Sequence, residues 1–527
     1  MSSTRVNVER RRGAEVGVTP YPRRYWALAA LCLSLLLIAL DNTILNVALP
    51  TLVRELDASA SELQWIVDAY VLVFAGLLLT AGSLGDRFGR KGALNLGLLI
   101  FAAGALLATQ AREPGQLIAM RAVMGVGGAF IMPATLSLIT NIFPAHERAR
   151  AIGVWAGVAG LGIAIGPVTG GWLLEHFSWG SIFLVNVPVV VIALAAGYAV
   201  VPTSRDADAP PIDFGGAVLS VAGLGAVLYA IIEAPRRGWT DGATLAWFAV
   251  AIVLLAAFVW WELRARFPML DMGFFSIARF SAASGAVTLV FFALFGSLFL
   301  LTQYLQFVLA FTAFEAGIRV LPMALTIMIA APLSARVVER LGTKLVVAAG
   351  LSLAAAGLAW LSTLTVADGY GQLLPRLIVL AAGMGLTMAP ATESIMGALP
   401  LARAGVGSAV NDATRQVGGA FGVAVLGSLL SSRYGDLMSA RVEGLPPVAA
   451  AAASDSVGAA LQVAGTVGGA QGAALAAAAR AGFVEALGVS VLVGAAVALA
   501  GAVVALVFLP ARGVDPDAAA AEDGVPA

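Results

Sequence analysis

Fourteen stretches of this chain are apolar for about twenty residues or more, the length of helix that crosses a bilayer. They run roughly over 25–49, 63–84, 93–110, 116–138, 151–174, 181–201, 214–233, 243–263, 280–308, 315–336, 345–364, 372–397, 404–430 and 483–509. Hydrophobic residues make up 60% of the chain and charged residues only 12%, about half the usual globular share. A soluble core has no room for that much apolar surface. In lipid a spanning backbone must satisfy its own hydrogen bonds, so the fold class predicted is an all-α integral membrane protein with 14 transmembrane helices. The connections are too short for a separate soluble domain.

Composition excludes several functions. The formal net charge is zero, so no nucleic-acid partner is expected. Cys32 is the only cysteine, and His146 and His176 are the only histidines. That leaves no disulfide, no cysteine metal cluster and little for a histidine-based site. There is no GxxxxGK[ST] phosphate loop, so the chain carries no ATP motor of its own. Neither a metal nor a cofactor is expected. A membrane enzyme, which needs an assembled nucleophile and base, is disfavoured on the same grounds.

Lys and Arg set the expected orientation. With both termini in the cytoplasm, 20 of the 31 basic residues fall on that side and seven on the other; four, Arg121, Arg319, Arg376 and Arg415, lie within helices. That is the positive-inside pattern. It places residues 1–24 in a cytoplasmic tail, 202–213 in a cytoplasmic linker, 431–482 in a long outer loop and 510–527 in a disordered cytoplasmic tail. The outer loop is rich in Ala, Gly and Val; it is either flexible or carries short helices, and Ala473–Ala481 is able to lead helically into the last span.

Between the second and third apolar runs lies Gly82-Ser-Leu-Gly-Asp-Arg-Phe-Gly-Arg-Lys91, a knot of glycine and charge. A reduced echo, Glu339-Arg-Leu-Gly-Thr-Lys344, follows 253 residues later, so that Asp86, Arg87, Gly89 and Lys91 align with Glu339, Arg340, Gly342 and Lys344. Arg121 lies 35 residues beyond Asp86, and Arg376 lies 37 beyond Glu339. Gly125-x-Gly127 and Pro133 follow the first arginine; Gly383-x-Gly385 and Pro390 follow the second. The reading is two related six-helix halves, 25–201 and 280–509, with two helices inserted over 214–263. Internal repeats of this kind mark transporters. Glycine permits the tight reversal, and Asp86, Arg87 and Arg90 are able to pair as a charged latch.

Few polar residues interrupt the spans, and each is a candidate. Asp41, in Leu40-Asp-Asn-Thr-Ile-Leu-Asn46, sits about 24 Å along its helix from Tyr25 at ~1.5 Å per residue. A carboxylate at that depth is costly. It suits the binding of a proton or a lipophilic cation, or else it serves as polar glue between helices. Asn42 and Asn46 share a face. Asp68, with Trp65 and Tyr70 beside it, is placed about one turn inside the outer boundary. An acid among aromatics suits a cationic substrate, although aromatics also mark any interface. Arg121 either snorkels to the surface or pairs with a buried carboxylate and holds its charge until a proton arrives; the second is favoured. Asn411, Asp412 and Arg415 lie together in the thirteenth run; Asp412 and Arg415 are three apart and able to pair. That points to a structural or substrate-lining role. Glu393, Arg319 and Arg376 sit near helix ends and are read as structural.

The fifth run carries Gly162, Gly166 and Gly170 four apart, with Pro167 and Gly171 in a Gly-Pro-x-x-Gly-Gly ending. Small residues at this spacing give a flat face for close helix contact, and proline kinks the helix there. Such a helix suits a gate.

These residues resemble the major facilitator superfamily, specifically its fourteen-helix drug:proton antiporter family of multidrug efflux transporters. The match covers nearly all of the chain: the loop motif at Gly82–Lys91, the helix-1 motif at Leu40–Pro50, the arginine motif at Arg121–Gly128, and the antiporter motif at Gly162–Gly171. Ser178-Trp-Gly-Ser-Ile-Phe-Leu-Val-Asn-Val-Pro188 is similar to the family's segment entering helix 6, with Gly180 where a basic residue is usual. The second-half loop lacks the first Gly and the second Arg. The resemblance implies proton-driven efflux by alternating access across a bacterial cell membrane. Asp41 and Asp68 would be protonation or cation-binding sites, and Arg121 part of a proton relay. Asp86 and Arg87 would latch the inward gate, and the helix-5 glycines would favour export. The expected partners are a small hydrophobic, cationic substrate, protons and lipid, with the chain a monomer. A dedicated exporter of one endogenous product on the same fold is the alternative; 29 Arg against 2 Lys points to a GC-rich bacterial genome, where such exporters fit.

Overall fold

The computed structural model describes residues 21–205, 213–398 and 404–509; the expected C-terminal tail, most of the expected N-terminal tail 1–24 and most of the 202–213 linker lie outside them. The first seven helices are α1 (Arg24–Leu56), α2 (Ala60–Phe88), α3 (Arg90–Ala108), α4 (Pro114–Ile142), α5 (Ala145–His176), α6 (Ser181–Leu184) and α7 (Asn186–Val200). A helical pair follows, α8 (Phe214–Arg237) and α9 (Gly242–Arg264). Then come α10 (Ala278–Gln303), which continues as a π-helical turn over Tyr304–Val308, α11 (Ala313–Leu341), α12 (Thr343–Leu361) and α13 (Tyr370–Met396). The last are α14 (Ala404–Ser439), α15 (Pro447–Asp455), α16 (Val457–Val467) and α17 (Gly469–Phe508).

Among the described residues, twelve helical stretches are long and apolar enough to cross a membrane. The sequence reading counts two more, which correspond to α5 and α14, helices of 32 and 36 residues. The region read as an outer loop is largely helical: α14 runs on to Ser439, α17 starts at Gly469, and α15 and α16 form a hairpin between them. Alanine favours helix over loop, and this hairpin buries Ala453, Val457 and Ala460 against the bundle.

The same set of helix pairings occurs twice. In α1–α7, α2 and α3 pack on α4, α1 packs on α5 and α7, and α3 packs on α7. In α10–α17, α11 and α12 pack on α13, α10 packs on α14 and α17, and α12 packs on α17. The two groups meet through α5 against α11 and α14 against α2, again equivalent contacts, while α8 covers α2 and α14 from one side.

Local chemistry repeats with the packing. Ser59 and Glu62 form a capping box at the start of α2, and Thr312 and Glu315 form another at the start of α11, at the same 253-residue offset as the loop echo. Such boxes satisfy the orphan N–H groups of a first turn. Gly89 and Gly342 end those helices with φ of 123° and 81°, a region that glycine enters without strain. Gly97 on Gly127 and Gly350 on Gly383 bring backbones together at the α3–α4 and α12–α13 crossings.

Candidate transport site

Helices α1, α4 and α7 bring three polar side chains together deep in the first group. Asp41 and Arg121 are each 1% exposed and form an ion pair of 2.5 Å. The other carboxylate oxygen of Asp41 accepts a 3.0 Å hydrogen bond from Asn186 Nδ2. Arg121 Nε donates to the carbonyl of Ile66 at 3.1 Å, and its guanidinium lies 4.4 Å from the centre of the Tyr70 ring. Every charge is thus met by an opposite charge, an amide, a carbonyl or a ring face. A buried pair persists only on such terms, because removing one partner leaves an uncompensated charge at a cost of about 3–5 kcal/mol. Of the two fates open to Arg121, the structure shows pairing rather than snorkelling.

The pair borders the interface between the two groups. A small cavity of about 10 Å³ is lined by Asn42 and Arg121 on one side and by Phe295, Gln416, Gly419 and Val423 on the other, with Val67 and Val71 of α2. Asn42 therefore faces the interface, whereas Asn46 turns back and donates to the Asn42 carbonyl at 3.0 Å. Tyr70 is fully buried and its hydroxyl has no partner among the described residues. It is packed against Phe74 and Phe101, and so lies behind the ion pair rather than on the cavity.

Asp68 is fully buried and neither carboxylate oxygen has a partner among the described residues. One turn to either side on α2, Gln64 accepts from Ser428 of α14 at 3.0 Å and Leu72 packs near Gly225 of α8. Asp68 thus lies on the face turned toward α8 and α14. In α14, Asp412 and Arg415 stand 3.9 Å apart. Arg415 donates to Thr392, whose hydroxyl is 3.2 Å from Asn411 Oδ1, which ties all three to α13, within two turns of the cavity residues Gln416 and Gly419. Arg376, the counterpart of Arg121 in the repeat, forms no ion pair among the described residues; it donates to the carbonyls of Trp360 and Gln372 and to Thr363. The repeat duplicates the scaffold but not the charged pair.

The glycines of α5 serve two neighbours. Gly162, Gly166 and Gly170 face Ala39, Thr43 and Ile44 of α1, and Gly171 faces the backbone of Ala313 and Phe314 in α11. Gly317 of α11 returns the contact, set against the Pro167 carbonyl. At the α2–α3 turn, Asp86 pairs with Arg90 at 2.6 Å, while Lys91 donates to the carbonyls of Tyr198 and Val201 at the end of α7. Arg87 is exposed beside Phe88. Glu339 and Arg340 are exposed at the equivalent turn without an ion pair among the described residues. The charged knot therefore fastens α2, α3 and α7 to one another, and Gly82 lies against Pro133 of α4.

Residues 31–423 match the model of the Major Facilitator Superfamily. The chain belongs to that superfamily. This transporter is 38% identical over 492 residues to the multidrug efflux pump LfrA of Mycolicibacterium smegmatis, covering 92% of this chain and 96% of the pump. It is 34% identical over 512 residues to the tetracenomycin C resistance and export protein of Streptomyces glaucescens, covering 96% and 94%. Among solved structures, it superposes on a bacterial homologue of the human lysosomal transporter Spinster, in an inward-facing and occupied conformation. There the TM-score is 0.66 at 18% identity, covering 94% of this chain and 99% of that one. The family makes the chain a multi-pass membrane transporter of small molecules rather than an enzyme, and its named relatives are bacterial efflux and resistance proteins.

Two members of the site escaped sequence reasoning. Asn186 sits in the segment entering the sixth span, which the sequence marks only through its family pattern; an amide opening a run of Val and Ala is the available signal. Gln416 stands directly after Arg415, the residue that drew attention.

Proposed function

We propose that this transporter is a proton-coupled antiporter of fourteen spanning helices that exports hydrophobic, cationic drugs or antiseptics by alternating access. The observation that carries the reading is the Asp41–Arg121 pair, which is buried, fully partnered and adjacent to the cavity between the two groups. A carboxylate held in this way has two states. Deprotonated, it is bound to Arg121 and Asn186; protonated, it loses its attraction for Arg121 and frees that cation to rearrange. An organic cation reaching Asn42 competes with Arg121 for the same carboxylate, so proton and substrate exclude each other. Asp68, buried and without a hydrogen-bond partner among the described residues, is a second group able to take up a proton.

The hydrogen bonds between the groups support an alternating-access reading. Among the described residues four join α1–α7 to α10–α17: Gln306 to the Val47 carbonyl, Gln462 to the Val53 carbonyl, Ser428 to Gln64, and the Ala60 N–H to Asp455. All four lie at the end carrying α15 and α16. With the basic residues inside, that end is the outer one and the structure is closed there. Both termini are then cytoplasmic, the membrane is the bacterial cell membrane, and the unit is a monomer driven by the proton gradient without a cofactor.

A second reading is an exporter dedicated to one endogenous compound, which the similarity to the tetracenomycin C export protein supports. Everted membrane vesicles carrying an acid-interior gradient separate the two. Collapse of the gradient by several lipophilic cations supports the first reading; a response to a single neutral antibiotic supports the second. No response from folded protein to any compound of a broad cation and antibiotic panel would count against both.

A further inference from the structure

Above the central cavity, at the end carrying the hairpin, a second cavity of about 20 Å³ lies between α2, α10, α14 and α15–α16. The two are successive stretches of one path. On α2 the lining passes from Val71 and Val67 to Leu63 and Ala60; on α10 from Phe295 to Phe299 and Gln303; on α14 from Gly419 and Val423 to Gly427. Steps of four residues are one helical turn, so three helices carry the same lining upward in register from Arg121 to the hairpin.

The upper cavity is rich in acceptors. Gln64 is 1% exposed. Gln303 is also buried, and its amide nitrogen is committed to the Phe299 carbonyl. Asp455, the last residue of α15, accepts the Ala60 N–H through one oxygen at 2.9 Å and forms no ion pair among the described residues. The charged groups that act on it are Arg236 and Glu62. Phe299, Tyr434 and Phe483 add ring faces. A carboxylate acted on by Arg236 but in direct contact with no cation among the described residues, amide oxygens and aromatic rings are the chemistry that receives an organic cation.

We propose that this cavity is an outer station for the exported cation, with Asp455 as its counter-charge and α15–α16 as its roof. The proposal rests on the cation-export reading above. In the closed arrangement a volume of about 20 Å³ holds a water or so, not a drug. Occupation therefore requires the hairpin to lift. Lifting breaks the Asp455–Ala60 bond, and the carboxylate that held the roof shut becomes free to meet the cation arriving from Asn42.

The test uses the full chain in right-side-out proteoliposomes that export ethidium, with tetraphenylphosphonium added to the outer medium as the probe. Asp455→Asn is the variant of choice, because the amide oxygen still accepts the Ala60 N–H while the charge is lost. Half-inhibition of ethidium export is expected to need about tenfold more external tetraphenylphosphonium in Asp455→Asn, the loss of one favourable charge contact. A merely structural role would change the rate of export measured without external probe and leave the inhibition constant alone. Gln303→Leu, expected to raise half-inhibition about threefold, decides the matter should Asp455→Asn not fold. An unchanged inhibition constant in a variant that exports normally, or a wild type that exports ethidium without external inhibition, overturns the proposal alone. A wild type that exports no cation at all overturns the cation-export reading and this proposal with it.

Discussion

Adding one methyl group at Gly317 should hold the two helical groups apart at the hairpin end. A Cβ there would lie 2.2 Å from the carbonyl oxygen of Pro167 and 2.6 Å from its carbonyl carbon. Opposite it, a Cβ on Gly171 would lie 2.4 Å from Phe314 Cα. Both obstacles are backbone, so no side chain can swing aside. Restoring an ordinary contact requires α5 and α11 to part by about 1 Å, and overpacking of this kind costs about 1–3 kcal/mol. Charged against one arrangement of a two-state transporter, that is a shift of about 5- to 150-fold in the balance. Spin labels at Arg54 and Val448, both exposed, report the separation of α1 and α15 by double electron–electron resonance. Gly317→Ala should move the distribution to longer distances and slow efflux about tenfold, while Gly153→Ala, with nothing near its Cβ, should do neither. Wild-type efflux and an unchanged distribution in Gly317→Ala would refute the idea that this crossing sets closure.

Arg121→Lys keeps a positive charge but cannot reach Asp41, the Ile66 carbonyl and the Tyr70 ring together; coupled efflux should fall at least about tenfold despite the conserved charge, measured as dye export per folded protein. Asn186→Leu removes the donor to Asp41, a bond to a charged group worth about 1.5–3 kcal/mol, and should lower both thermal stability in detergent and efflux. Asp368, in the turn before α13, accepts the N–H and hydroxyl of Thr365 at 2.8 and 3.0 Å, and these bonds hold its carboxyl below the ordinary 3.8. Its contribution is present above the unfolded value and lost as pH falls through the lowered one. The melting difference between wild type and Asp368→Ala should therefore shrink on acidification below about pH 4.

Lipid makes spans easy to see and faces hard to see. An apolar run reads as a helix whichever side meets the tails, so the runs were legible while the packing of α8 on α2 and α14 was not. Buried polar groups stood out because each is expensive, which is how Asp41 and Arg121 were found. Their pairing spans 80 positions in sequence and exists only after α1 and α4 pack. Asp68 is legible as a polar interruption of an apolar run, but its burial between helices, and that of Tyr70 beneath Arg121, follow only from the packing. The echo of the loop was legible, and the capping boxes at Ser59 and Thr312 extend it at the same offset. What repeats is geometry; among the described residues the charged pair has no counterpart in the second group. The hairpin was half legible, since its alanines favour helix, but its contacts with Val53 and Ala60 join residues some four hundred positions apart.

The most direct test of the antiport reading is proton release from purified protein in weakly buffered detergent solution, on addition of a cation that the transporter exports. If Asp41 exchanges a proton for substrate, the wild type should release protons on binding, and Asp41→Asn should release markedly fewer while remaining folded. Undiminished release from Asp41→Asn, together with intact proton-driven efflux, would remove Asp41 from the exchange and contradict the mechanism.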